Sequence, residues 1–89
     1  MTIEFPNLSR RYDTTQRCVR FSGYDGALEK SFFLEEQAIW RLDRLSRDNV
    51  EAMLDAFDRN RERIYKVATK IYAKYGGSSF IIVVDDFPE

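Results

Sequence analysis

Five apolar residues, Phe80 to Val84, follow one another without a break in the stretch SSFIIVVDDFPE, and Asp85 and Asp86 come directly after them. A strand with one wet face alternates apolar and polar side chains, so an unbroken run predicts a strand covered on both faces. The chain has 89 residues. A domain of this size buries only about 60–65% of the surface its unfolded chain exposes. Cover for both faces is therefore scarce. Either a tightly curled sheet or a second copy of the chain supplies it.

The rest of the chain reads as strands followed by helices. Thr2 to Phe5 predicts a short strand that Pro6 ends, since proline has no N–H for a ladder. Asn7 to Gln16 is polar and reads as a loop. Cys18 to Ser22 alternates, with Val19 and Phe21 on one side. Gly23-Tyr24-Asp25-Gly26 is a turn signal, and Ala27 to Leu34 returns as the second arm of a hairpin. A turn centred on Tyr24-Asp25 sets Phe21 opposite Leu28 and Arg20 opposite Glu29, both favourable pairs. Centring on Asp25-Gly26 sets Phe21 opposite Lys30 and is the less favoured register. In both, Val19, Phe21, Leu28, Phe32 and Leu34 face inward.

A helical period begins at Glu35, with Ala38, Ile39, Leu42 and Leu45 on one face. Asp48 has the N-cap preference, with Glu51 three residues on as in a capping box. Val50, Met53, Leu54, Phe57, Ile64, Ala68, Ile71, Tyr72 and Tyr75 then share a face. From Asn49 to Tyr75 a straight helix runs roughly 40 Å, long for so small a domain, so a bend is expected at Asp58 to Asn60. Gly76-Gly77 supplies the stop. Ser79 to Val84 is the closing strand. The expected class is α+β in the order β-β-β-α-α-β: one domain over residues 1–89, a small, mostly antiparallel sheet with two helices on one face.

Three segments, IEFPNLSRRYD, VRFSGYDGALEKSFFLEEQAI and FDRNRERIYKVATKIYA, resemble a family of short proteobacterial proteins, domain-of-unknown-function family 1488. The resemblance spans Ile3 to Ala73 and consists of patterns of fold. It implies a small cytosolic α+β protein with no assigned activity, and it brings no catalytic or binding residues.

Composition narrows the function. The chain has no histidine, and Cys18 is its one cysteine. Ser-His-Asp and Cys-His catalysis, histidine metal sites and disulfide frameworks are thereby excluded. Cys18 reads as inert. The net charge of -1 implies no bulk attraction to nucleic acid or to a membrane surface. There is no apolar leader or membrane-spanning run, so a cytoplasmic location is expected. Asp85-Asp86 resembles strand ends that hold magnesium, but no phosphate-binding glycine loop accompanies it. The pair reads instead as a guard against edge-to-edge pairing. No cofactor, metal or enzymatic activity is expected.

Three binding features remain. Arg59, Arg63, Lys66, Lys70 and Lys74 lie within about 80° of one another on the second helix, opposite its apolar face. They form either a solvated face, matched to the helix dipole, or a surface for an acidic partner or nucleic acid. Arg61 falls among apolar residues and needs an acid, with Asp13, Asp25 and Asp58 as candidates. An anion site or an exposing bend is the alternative. Trp40 lies opposite the apolar face of the first helix, where it either covers a loop or anchors a partner. Ile81 and Val83, with Phe5 and Phe33, are expected on the outer sheet face. The expectation is thus a binding module, homodimeric through that face, or a nucleic-acid-associated protein using the basic stripe.

Overall fold

The computed structural model describes residues 2–47 and 49–88. Along the chain run β1 (Arg10–Asp13), β2 (Cys18–Asp25), β3 (Leu28–Glu35), α1 (Glu36–Leu42), α2 (Val50–Arg59), α3 (Arg61–Tyr75) and β4 (Ser79–Ile82). Short 3-10 segments occupy Arg44–Arg47 and Val84–Asp86. The sheet order is β1-β2-β3-β4, with β1–β2 and β2–β3 antiparallel and β3–β4 parallel. The class is α+β, with strands first and helices inserted before the closing strand. The described helices number three, because the expected long helix is divided.

The hairpin turns later than its sequence suggests. Asp25 pairs with Leu28, so Gly26-Ala27 is the two-residue connection. Gly26 has φ 63°, a left-handed value that glycine adopts at no steric cost, and glycine first of the two is the II′ pattern. Phe21 therefore faces Phe32, and Arg20 faces Phe33; both expected registers are wrong. Gly23 lies inside β2 instead of in the turn. A Cβ there would sit 2.7 Å from Phe5 Cε1 and 2.9 Å from Ile3 Cδ1. Its bare backbone is what admits the amino-terminal segment onto the inner face of the sheet.

That segment is not the strand expected over Thr2 to Phe5. It makes one bridge, in which Glu4 N–H donates to Tyr24 O (2.9 Å) and Tyr24 N–H to Glu4 O (2.8 Å). The strand forms at Arg10–Asp13, inside the expected loop. Its inward side chains are Arg10 and Tyr12. Both are polar-tipped and engage helical acids: Arg10 binds Asp58, and Tyr12 Oη donates to Glu36 Oε2 (2.8 Å). An edge strand satisfied in this way carries little apolar signal.

Val19, Phe21, Phe32, Leu34, Phe80 and Ile82 bury the inner sheet face. They pack on Ala38 and Ile39 of α1, Met53, Ala56 and Phe57 of α2, and Ile64, Val67, Ala68 and Tyr72 of α3. Phe32 centres a row of rings across three strands, 5.2 Å from Phe21 and 5.1 Å from Phe80. Offset aromatic pairs of this kind add stabilisation beyond their area. Phe5 stacks on Tyr65 at 4.2 Å, so it belongs to this inner cluster and not to the outer face. Leu28, expected inward, is 66% exposed at the hairpin tip. Leu45 is exposed as well, because α1 ends at Leu42 and the 3-10 segment turns it away. Val50 and Tyr75, at the two ends of the expected stripe, are also exposed.

The expected capping residue Asp48 lies outside the described residues. Asn49 caps α2, its Oδ1 accepting from Ala52 N–H at 2.7 Å. The expected bend falls at Asn60, between α2 and α3. Gly76 (φ 64°) ends α3, donating its N–H to Tyr72 O at 2.9 Å. The closing strand stops at Ile82, short of the expected Val84. The Val83 N–H donates to Asp86 Oδ2 (2.8 Å), so Asp86 caps the turn after the strand. Phe87 then returns into the core.

Gly23 yields a first test. Gly23→Ala is expected to cost about 1 kcal/mol in urea unfolding and Gly23→Val more, up to about 3 kcal/mol, by overpacking against Ile3 and Phe5. Equal stability of Gly23→Val and the native chain would show that the amino-terminal segment does not depend on this contact.

Candidate functional site

Ion pairs of the described residues gather at the junction of α2 and α3. Asp58 sits one turn before Arg61. Arg10 from β1 grips it with two bonds, Nε to Oδ1 at 3.0 Å and Nη2 to Oδ2 at 2.8 Å. Arg61 adds Nη2 to Oδ1 at 2.7 Å. Of the three acids considered for Arg61, Asp58 is the partner. Asp25 instead accepts from Tyr72 Oη, and Asp13 accepts the Thr15 and Gln16 N–H groups. Arg61 also donates to Leu8 O (2.7 Å) and to Tyr65 Oη, and its guanidinium lies 5.0 Å from the Phe57 ring. These bonds tie it to its own helix junction and to the segment before β1. The Arg10 hydrogen bond first, and the Arg61 bond after it, hold the Asp58 carboxyl below the usual aspartate range, against a burial effect that pushes it up.

The basic stripe is real as a surface. Arg59, Arg63, Lys66, Lys70 and Lys74 are all exposed. Arg59 is committed to Asp43, and Lys74 Nζ lies 5.2 Å from the Tyr75 ring. At its carboxyl end the stripe meets opposite charge: Lys70 and Lys74 line one groove with Asp85 and Asp86.

The outer sheet face differs from expectation. Arg20 lies over Phe33, 4.9 Å from its centroid, and covers it. Phe5 is on the other face, and half-buried Val83 stands beyond the strand. Ile81 alone of the expected set is widely exposed, at 62%. It belongs to an edge strand. Ser31 N–H donates to Ser78 O (2.9 Å) while Ser31 stands opposite Ser79. A parallel ladder bonds alternate residues to a given neighbour, so the backbone groups of Ser79 and Ile81 point to the open side. Ile71, Tyr75, Gly76, Ile81 and Val83 line a groove of about 440 Å³ beside this edge. Tyr75 is 70% exposed there.

Trp40 is half-buried and is covered by its own neighbours, with the Arg47 guanidinium 4.9 Å from the ring centroid. Its indole N–H is buried and has no acceptor among the described residues, a state that costs about 1–3 kcal/mol. Gln37, Trp40, Arg41, Arg44 and Arg47 line an open groove of about 650 Å³. The three arginines recur at intervals of three in the sequence. That signal was legible, but the end of α1 divides it.

Cys18 is buried, and its thiol is pushed up from its ordinary pKa, chiefly by that burial, so little thiolate forms. Among the described residues no three acids or sulfurs gather in a metal-holding cluster. No helix of the described residues is long and apolar enough to cross a membrane.

A family model described as "Protein of unknown function (DUF1488)" matches residues 3–83. None of the curated proteins matches the chain. Among solved structures, the chain is similar to a protein of unknown function of the DUF1488 family from Shewanella loihica PV-4. The TM-score is 0.81 at 15% identity, over 91% of each chain. At that identity the likeness is one of fold.

Two outcomes are expected at the Asp58 junction. Arg61→Ala costs about 1–3 kcal/mol in chemical unfolding, through the Leu8 carbonyl and the ring contacts, because Arg10 still holds Asp58. Arg61→Lys does not restore the loss, since lysine lacks the planar fork; a loss below about 0.5 kcal/mol contradicts the tie. The second outcome concerns pH. A depressed carboxyl contributes stability above its unfolded value of about 3.9, and that stability drains away as pH falls through the lower folded value. The stability gap between the native chain and Asp58→Asn is therefore level between about pH 5 and 7 and closes below about pH 4. A gap unchanged at about pH 2 assigns the effect to shape and not to charge.

Proposed function

The chain belongs to the DUF1488 family, whose description assigns no activity, and we propose that it acts by binding, without catalysis, as a small module that pairs with a second copy of itself. The observation that carries this reading is Ile81, 62% exposed on the unpaired edge of β4. An open strand edge bearing a large apolar side chain is a template for pairing with another chain. Tyr75 and Ile71 extend the apolar surface along α3.

The charges beside this edge favour a second copy as the occupant. A two-fold interface must be complementary to itself. Lys70 and Lys74 stand beside Asp85 and Asp86, so the same patch on a rotated copy sets acid against base. An antiparallel β4–β4 pair would extend the sheet across the axis. This replaces the expected outer-face interface with one at the sheet edge. The proposed compartment is the cytoplasm, whose reducing conditions suit a lone thiol.

A second reading, nucleic-acid association, is supported by the exposed run Arg63, Lys66 and Lys70. Asp85 and Asp86 at the end of that run oppose it, since they repel phosphate.

Light scattering separates the readings. The native chain is expected to be a dimer at tens of micromolar, and Ile81→Lys a folded monomer. Tyr75→Glu, a change on an exposed helix position, supplies the same test if the Ile81 variant fails to fold. A monomeric native chain at that concentration overturns self-pairing. Binding to generic DNA that weakens steeply with salt, and that is lost when Arg63, Lys66 and Lys70 become alanine, transfers the function to the basic stripe.

A further inference from the structure

The groove at the end of α1 is built differently from the β4 edge. Among the described residues, Glu36 of α1 and Asp43 just after it are already committed, Glu36 Oε1 to Arg17 (2.7 Å) and Asp43 to Arg59. The positive charge of Arg44 and Arg47 is therefore not cancelled by these neighbours. Both side chains are exposed, and neither has a carboxylate partner among the described residues. Trp40 lines the same groove, and its N–H is buried with no acceptor among the described residues. Buried donors are nearly always satisfied, so an orphan invites an explanation at the site itself. Gln37 adds an amide to the rim.

We propose that the groove lined by Gln37, Trp40, Arg41, Arg44 and Arg47 binds the phosphoryl group of a small ligand, which the guanidinium groups of Arg44 and Arg47 hold and the Trp40 indole N–H completes. Arginine forks match the oxygen geometry of phosphate, and charge-assisted bonds are stronger than neutral ones. A dianion draws more from two guanidinium groups than a carboxylate does. The volume, about 650 Å³, lies in the range of small-ligand pockets. Arg47 now lies over the indole ring. On binding, its head moves toward the anion, and an oxygen reaches the N–H that the side chains enclose.

The chain has one tryptophan, so its nitrogen-15 spectrum carries one indole N–H signal, and that signal reports on the site. Titration with sodium pyrophosphate at constant ionic strength is expected to move it saturably, in the direction of a hydrogen-bonded N–H. Acetate at the same ionic strength leaves it in place. Arg44→Ala and Arg47→Ala each weaken pyrophosphate binding by at least about tenfold, whereas Arg63→Ala, on α3, does not change it. Trp40→Phe keeps the ring and removes the donor. Followed through the amides of Arg44 and Arg47, it binds several-fold more weakly. A shift that does not saturate, an equal response to acetate, or equal binding by the Arg44 and Arg47 variants overturns the proposal. Tighter binding of a single-stranded oligonucleotide than of pyrophosphate overturns the small-ligand assignment. The β4-edge dimer is read by mass and this site by resonance shift, so the failure of one leaves the other standing.

Discussion

The Asp58 carboxylate ties the strand layer to the helix layer where α2 meets α3. Asp58 accepts from Arg10 of β1 on one side and from Arg61 of α3 on the other. Arg61 reaches on to the Leu8 carbonyl. Neither arginine is fully buried, and an isolated exposed ion pair contributes little. Here the pair is shared, bidentate on one side and backed by aromatic rings, and it fixes three things together. It sets where the long helix divides, how β1 lies against α2, and where the segment before β1 crosses the sheet. The break at Asn60 follows from this arrangement: Asn60 Nδ2 donates to Ala56 O (2.8 Å), and α3 starts afresh with Arg61 turned back toward Asp58.

Much of this was legible in the residues, and the reasons differ by element. The helix division was readable because a straight helix exceeded what the domain holds. The stop at Gly76 and the inward set Val19, Phe21, Phe32 and Leu34 were readable from backbone freedom and from period. The hairpin register was not. Two glycines, Gly23 and Gly26, compete for the turn, and local chemistry cannot say that one of them is empty to make room for Ile3 and Phe5. β1 escaped notice because its inward side chains are an arginine and a tyrosine, which become core-facing only when Asp58 and Glu36 arrive from distant helices. Of the surface features, the basic stripe and Trp40 were visible as sequence. The orphaned indole N–H and the open edge of β4 exist only once the chain is folded.

The molecule's outer surfaces divide by chemistry. The corner of β4 and α3 is apolar, with both signs of charge at its rim, and suits an isologous protein contact. The end of α1 is arginine-rich with a single indole, and suits an anion. On the outer sheet face Arg20 lies over Phe33 and covers it.

The parallel pairing of β4 with β3 has a consequence for how the protein is made. The β1–β2–β3 meander is complete as soon as β3 leaves the ribosome, and its turns are short. Its outer edge carries Phe32 and Phe33, and it cannot be filled until all three helices and then β4 have been synthesised. Closing so long a loop is costly in chain entropy and slow. During that interval the nascent chain presents a naked aromatic strand edge to the cell. The helices synthesised in that interval are strongly charged, a composition that favours solubility.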